Sequence, residues 1–172
     1  MPTEVKGVVA LRKALRKFTP DLAKETQKEI ASFLKPVVRT ARGYMPSNDA
    51  MPSGFVTHPR KTGKFPMYEA AIAKRGITYR TSPSKANRKG FRSLASILNK
   101  SAAGAIYETA GRKSGNTGNF TPRLGGSLTG SGQKMTGRAM YKAWAEDQGK
   151  AQGYILKAIF KAGDKFNQRT KL

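Results

Sequence analysis

His58 is the one histidine of this chain and cysteine is absent, so a hydrolytic triad or a histidine-based metal site would have to be built around this one residue. His58 lies between Thr57 and Pro59 in a proline-rich stretch. With no second imidazole or thiolate beside it, neither a hydrolytic triad nor a zinc site can be assembled in the usual way. It reads as a surface-loop histidine. Glu146 and Asp147 are adjacent on a helical segment, so their side chains diverge, a poor arrangement for two carboxylates converging on metal ions. Gly125 and Gly130 have the spacing of a phosphate-cradling loop, but Ser131 stands where that loop needs lysine, and no apolar strand precedes them. The sequence therefore predicts no catalytic residue, no metal and no cofactor: a protein that is not an enzyme.

What the chain has in abundance is positive charge. Its 172 residues carry 33 Lys+Arg against 10 Asp+Glu, a formal net charge of +23. The excess is uneven: between Ala50 and Ala145 there are 17 basic residues and two acids, Glu69 and Glu108. A surface of this kind repels itself and attracts nucleic acid, acidic proteins or anionic lipid. Lys and Arg in loop-like segments, interleaved with Tyr79, Phe91 and Phe120, suit contacts to phosphates without base reading. The absence of cysteine excludes a disulfide scaffold and fits a reducing compartment. No apolar run reaches the length of a membrane span, and the opening residues, with Glu4 and Lys6, predict no export signal.

The elements that must carry this charge are legible in part. Val8, Leu11, Leu15 and Phe18 recur at helical spacing. Thr19 then suits an N-cap, Pro20 the first helical position, and Asp21 and Glu25 the positive end of a second helix. That helix, from Thr19 to about Arg42, places Leu22, Thr26, Ile30, Phe33, Leu34, Val37, Ala41 and Tyr44 on one arc. Lys24, Lys28, Lys35, Arg39 and Arg42 form a basic stripe opposite. Pro36 predicts a kink, because it removes the hydrogen bond to Ser32. Residues 45–66 hold four prolines and predict an extended loop. Ile77–Thr81 and Leu94–Leu98 read as strands joined by a basic connection containing Lys85, Arg88 and Lys89. Ala102–Ala110 reads as a short helix. Residues 111–137 contain eight glycines, four basic residues (Arg112, Lys113, Arg123 and Lys134) and no acid, which predicts a flexible cationic arm. Two helical segments follow, one with Met140, Tyr141 and Trp144 and one running from Ala151 to Phe166. The expectation is a single α+β domain: a long kinked N-terminal helix and C-terminal helices on a small antiparallel sheet, with extended Pro-rich and Gly-rich loops. Tyr141 and Trp144, one helical turn apart, suit core or subunit contact rather than a platform for stacking bases.

Three stretches together carry a family likeness: Leu11-Arg-Lys-Ala-Leu-Arg-Lys-Phe-Thr-Pro-Asp-Leu-Ala-Lys-Glu25, Ser101-Ala-Ala-Gly-Ala-Ile-Tyr-Glu-Thr-Ala-Gly-Arg-Lys-Ser-Gly115, and Met140-Tyr-Lys-Ala-Trp144 followed by Tyr154-Ile-Leu-Lys-Ala-Ile-Phe-Lys-Ala162. The chain resembles the neck or tail-component proteins of long-tailed bacteriophages, the head-to-tail connector and tail-completion proteins of the actinobacteriophage type. The resemblance spans most of the chain and rests on pattern, without a catalytic motif. It implies a structural protein of the virion, assembled in the host cytoplasm as a ring on the tail axis, six copies favoured over twelve. It also implies portal-adaptor, stopper, tail-terminator or tail-tube neighbours, genome DNA held by backbone electrostatics, and no membrane. Tyr107, Tyr141 and Trp144 would serve the subunit interface. Residues 111–137 are longer and richer in glycine than the family pattern. The competing expectation is a free-standing basic nucleic-acid-binding protein of ribosomal or nucleoid type, which would use the same surface.

Overall fold

The apolar period at the start of the chain folds as helix α1 (Val8–Phe18), which buries Val8, Arg12 and Leu15 on one face. Thr19 separates it from α2 (Pro20–Gly43), with Pro20 opening the helix and Asp21 in its first turn. The computed structural model describes residues 7–56, 66–88, 90–112, 120–130 and 136–170. Their order continues with α3 (Ser53–Val56), α4 (Ala70–Gly76), β1 (Ile77–Arg80), β2 (Ser96–Asn99), α5 (Ala102–Thr109), α6 (Phe120–Arg123), β3 (Thr129–Gly130), β4 (Thr136–Gly137), α7 (Met140–Glu146) and α8 (Lys150–Thr170). β1 pairs with β2, and β3 pairs with β4 antiparallel in the register Thr129 to Gly137 and Gly130 to Thr136. The class is α+β, as the sequence predicts.

Two compact units divide the chain. One comprises Met1–Lys35, Tyr79–Ser96 and Lys150–Leu172, the other Pro36–Thr78 and Ile97–Gly149. α2 passes from one to the other at Pro36 and is carried through that proline as continuous helix.

In the first unit α8 runs antiparallel to the first half of α2. Leu15, Leu22, Ala23 and Ala162 are buried together, with Leu11 and Phe166 against them. Burial of each large aliphatic side chain contributes about 1.5–3 kcal/mol. Along the rim, Asp21 meets Arg169 at 2.8 Å, Glu25 meets Lys165 at 2.8 Å, and Glu29 meets Lys161 at 3.4 Å. The four-residue step on both helices keeps successive pairs on facing edges. Arg169 holds the Asp21 carboxyl below its ordinary pKa, and Lys165 does the same for Glu25. Phe33 and Tyr154 stack farther along, with ring centroids 5.0 Å apart. Thr26 lies on the apolar face of α2, where its hydroxyl donates to the Leu22 carbonyl at 2.8 Å.

The second unit is built round an aromatic cluster. Phe55 lies 5.4 Å from Tyr68 and meets Phe120 edge-on at 5.3 Å, and Tyr68 lies 6.4 Å from Tyr107. The buried Tyr68 hydroxyl donates to the Pro46 carbonyl at 2.8 Å, and burial pushes the phenols of both Tyr68 and Tyr107 upward in pKa. Two expectations are revised here. The stretch predicted as extended includes the helical turn α3, whose Phe55 is 1% exposed. The stretch predicted as a flexible arm contributes α6 and the β3–β4 pair, because Leu124 and Gly137 are packed inside. Residues 57–65, 113–119 and 131–135 lie outside the described residues.

Candidate polyanion-binding surface

The basic residues named by sequence separate into two groups. In the first unit Lys24, Lys28 and Lys35 on α2 and Lys85 and Arg88 in the β1–β2 connection are exposed. In the second unit Arg39 on α2 and Arg123 on α6 are exposed. None of these seven forms an ion pair or side-chain hydrogen bond with a described residue. Lys89, Lys113 and Lys134 lie outside the described residues, as does His58.

The second group is committed to the fold. Arg42 donates twice to the Ile77 carbonyl, from Nε at 3.0 Å and Nη2 at 2.7 Å. Arg112 donates from Nε to the Thr136 carbonyl and lies 4.5 Å from the centre of the Tyr141 ring. These two candidates are structural clamps rather than free contacts, because their guanidinium groups donate to backbone carbonyls.

Three further residues escaped the sequence reading. Arg12 is 6% exposed and donates to the Leu94 carbonyl at 2.7 Å and to the Thr81 carbonyl. Burial, then the charge of Arg16, lowers its pKa. Glu108, 1% exposed near the end of α5, accepts the backbone N–H groups of Ala139 at 2.8 Å, Met140 at 3.1 Å and Tyr141 at 2.9 Å. These are orphan donors of the first turn of α7, where an anion also meets the positive helix end. Arg138, just before α7, does the converse. Its Nη1 donates to the carbonyls of Tyr107 at 2.9 Å and Ala110 at 2.7 Å, at the C-terminus of α5, and its Nε donates to Gly125 at 3.0 Å. Burial lowers the Arg138 pKa, against the opposing charges of Tyr107 and Glu108. α5 and α7 thus cap one another reciprocally. A side chain at Gly137 would overlap Glu108 and approach Tyr141, so only glycine lets the carboxylate reach the helix end.

Comparison with known protein families, curated proteins and solved structures returns no match.

The candidate interface residues are divided in the same way. Tyr107 is 5% exposed and sits inside the second unit against Tyr68 and Arg138. It is a core residue, which corrects its assignment to a subunit surface. Tyr141 and Trp144 are half-buried on α7. Glu146 accepts a hydrogen bond from the Tyr44 hydroxyl, whose pKa it raises, and Lys142 lies 4.2 Å from the centre of the Tyr44 ring. Among the described residues no group of three acidic or histidine side chains could hold a metal ion, and no helix is long and apolar enough to cross a membrane.

Proposed function

We propose that this chain is a structural protein of the bacteriophage neck or tail, forming a ring at the head-to-tail junction on the path of the genome. In this reading the exposed cations meet DNA phosphates or acidic neighbouring subunits. The observation that carries it is the unmatched charge: Lys24, Lys28, Lys35, Arg39, Lys85, Arg88 and Arg123 stand exposed without an ion-pair partner among the described residues. Over the same residues, Asp21, Glu25, Glu29 and Glu108 are occupied within the fold. Cations spread over α2, α6 and the β1–β2 connection suit contact with a backbone that slides past. The likeness of three segments to neck proteins supplies the ring.

The test is binding to duplex DNA over a salt series, with sedimentation of the same material alone and mixed with portal-adaptor or tail-terminator subunits. Expected are an affinity that falls steeply with salt, with a slope of about −0.9 per phosphate neutralised, and a closed oligomer, formed alone or on mixing. Salt-insensitive binding overturns DNA as the ligand. A chain that remains monomeric in every mixture, yet binds in a salt-dependent way, overturns the ring and favours the free-standing nucleic-acid-binding protein.

A further inference from the structure

Hydrogen bonds tie the described residues of the connection between β1 and β2 together from root to tip. At its root the buried Arg12 guanidinium bridges the carbonyls of Thr81 and Leu94, the two ends of the connection. Farther out, the Ser84 N–H donates to the Ser93 carbonyl and the Ser93 N–H to Ser84 Oγ, both at 2.9 Å. At the tip the Asn87 N–H donates to the Phe91 carbonyl at 2.9 Å, the Phe91 N–H to Asn87 Oδ1 at 3.0 Å, and the Gly90 N–H to the Asn87 carbonyl at 2.9 Å. Gly90 adopts φ 80°, open to glycine at little strain. This organised finger presents Phe91, 51% exposed, beside exposed Lys85, Arg88 and Arg92. There is no acid anywhere between Glu69 and Glu108.

An exposed aromatic ring beside cations, on a connection without acids, combines the two features that single-stranded nucleic acid uses: a face for a base and charges for its phosphates. We infer that this finger is a stacking site for single-stranded nucleic acid, in which an unpaired base lies on the Phe91 ring while Arg88 and Arg92 hold the flanking phosphates. The inference rests on nucleic acid being the polyanion of the proposed function and narrows the form that this finger takes. Magnitudes decide between single strand and duplex. Stacking an unpaired base on an aromatic side chain contributes about 1–3 kcal/mol whatever the base. Wedging the same ring into a duplex must first unstack a step, at a cost of a few kcal/mol, normally offset by wrapping bent DNA over a wide surface. One ring on a narrow finger offers the first gain without the second compensation.

The experiment is fluorescence anisotropy of a short oligo-dT strand and of a duplex of equal length, using the full chain, Phe91→Ala, Phe91→Tyr and the double variant Arg88→Ala/Arg92→Ala, with circular dichroism confirming that each variant folds. Phe91→Ala should lose about 5- to 140-fold in affinity for oligo-dT, with its salt slope intact and duplex binding little changed. Phe91→Tyr should retain binding. The double arginine variant should flatten the oligo-dT salt slope by about 1.4. A Phe91→Ala protein that binds oligo-dT like the parent, or loses equally on duplex, overturns the stacking site and leaves the polyanion reading standing. A parent protein that binds neither nucleic acid removes both the stacking site and DNA as the ligand.

Discussion

Replacing Glu108 should release α7 from the second unit. Its carboxylate is 1% exposed and accepts three backbone N–H groups, of which that of Ala139 is buried and those of Met140 and Tyr141 are partly so. Glu108→Ala leaves all three without their acceptor. A buried donor stripped of its partner costs about 1–3 kcal/mol. Three would approach about 9 kcal/mol, but water can reach the two partly buried groups, which places the expected loss at about 3–5 kcal/mol. Glu108→Gln keeps the shape and one acceptor oxygen, but turns an amide donor toward a backbone donor, so about half of that loss is expected. The chain carries one tryptophan, Trp144, and it lies on α7 itself. Its emission during urea unfolding therefore reports the affected helix. With a urea slope of about 2 kcal/mol per molar, the Ala variant should shift the midpoint down by about 1.5–2.5 M and the Gln variant by about half as much. A Glu108→Ala protein within about 1 kcal/mol of the parent, with unchanged Trp144 emission, would refute the reciprocal capping of α5 and α7.

Gly137→Ala places a methyl group where Glu108 and Tyr141 already stand. It should destabilise by about 1–3 kcal/mol through overpacking, and combining it with Glu108→Ala should show less than additive loss in the same urea assay. Arg12→Ala should leave the Thr81 and Leu94 carbonyls without their donor and speed amide exchange across residues 81–94, read by mass spectrometry, while Arg12→Lys, with no fork, restores only part of the protection. The α2–α8 ladder gives a pH dependence of defined sign. The Asp21 and Glu25 pKa values are depressed in the folded protein, so their contribution is present above the unfolded carboxyl pKa of about 4 and is lost as pH falls through the lower folded values. Melting curves should show that acid-side loss shrinking in Asp21→Asn/Glu25→Gln and at high salt, since the pairs are exposed.

The helices and the class of the fold were readable because they depend on local information. α1 and α2 follow from apolar spacing and from the Thr19-Pro20 junction, and β1 from the β-prone run Ile77–Arg80. The interior polar links were not readable, because their partners are remote. Arg12 is one of four basic residues interleaved in α1, and although its spacing from Val8 and Leu15 puts it at the edge of the buried face, nothing local names its acceptors. Its acceptors lie 69 and 82 residues away. Glu108 left a usable trace: a solitary acid in an acid-free stretch, inside an apolar helix, requires a specific partner. The glycines of residues 111–137 predict freedom of the backbone, whereas Gly137 is required for close approach, and composition alone does not separate those two uses.

The distinction between the two groups of cations explains how so basic a chain can fold while remaining strongly attractive to polyanions. Arg12, Arg42, Arg112 and Arg138 all donate to backbone carbonyls. A planar fork can join two segments through neutral acceptors, a geometry unavailable to the single ammonium of lysine. Neutral acceptors satisfy the N–H groups but leave each positive charge in place. The fold therefore uses these arginines for cohesion through neutral acceptors, and among the described residues the ladder of Asp21, Glu25 and Glu29 neutralises cations pairwise. Because carbonyl ligation conserves charge, the buried Arg12 adds to the field of the exposed lysines of its own unit. In the proposed ring, several copies around one axis would add their fields together, and the repulsion would grow faster than the number of subunits. Such a ring would need a counter-charge at its centre or along its faces, which would link the structural use of arginine inside the units to the proposed polyanion outside them.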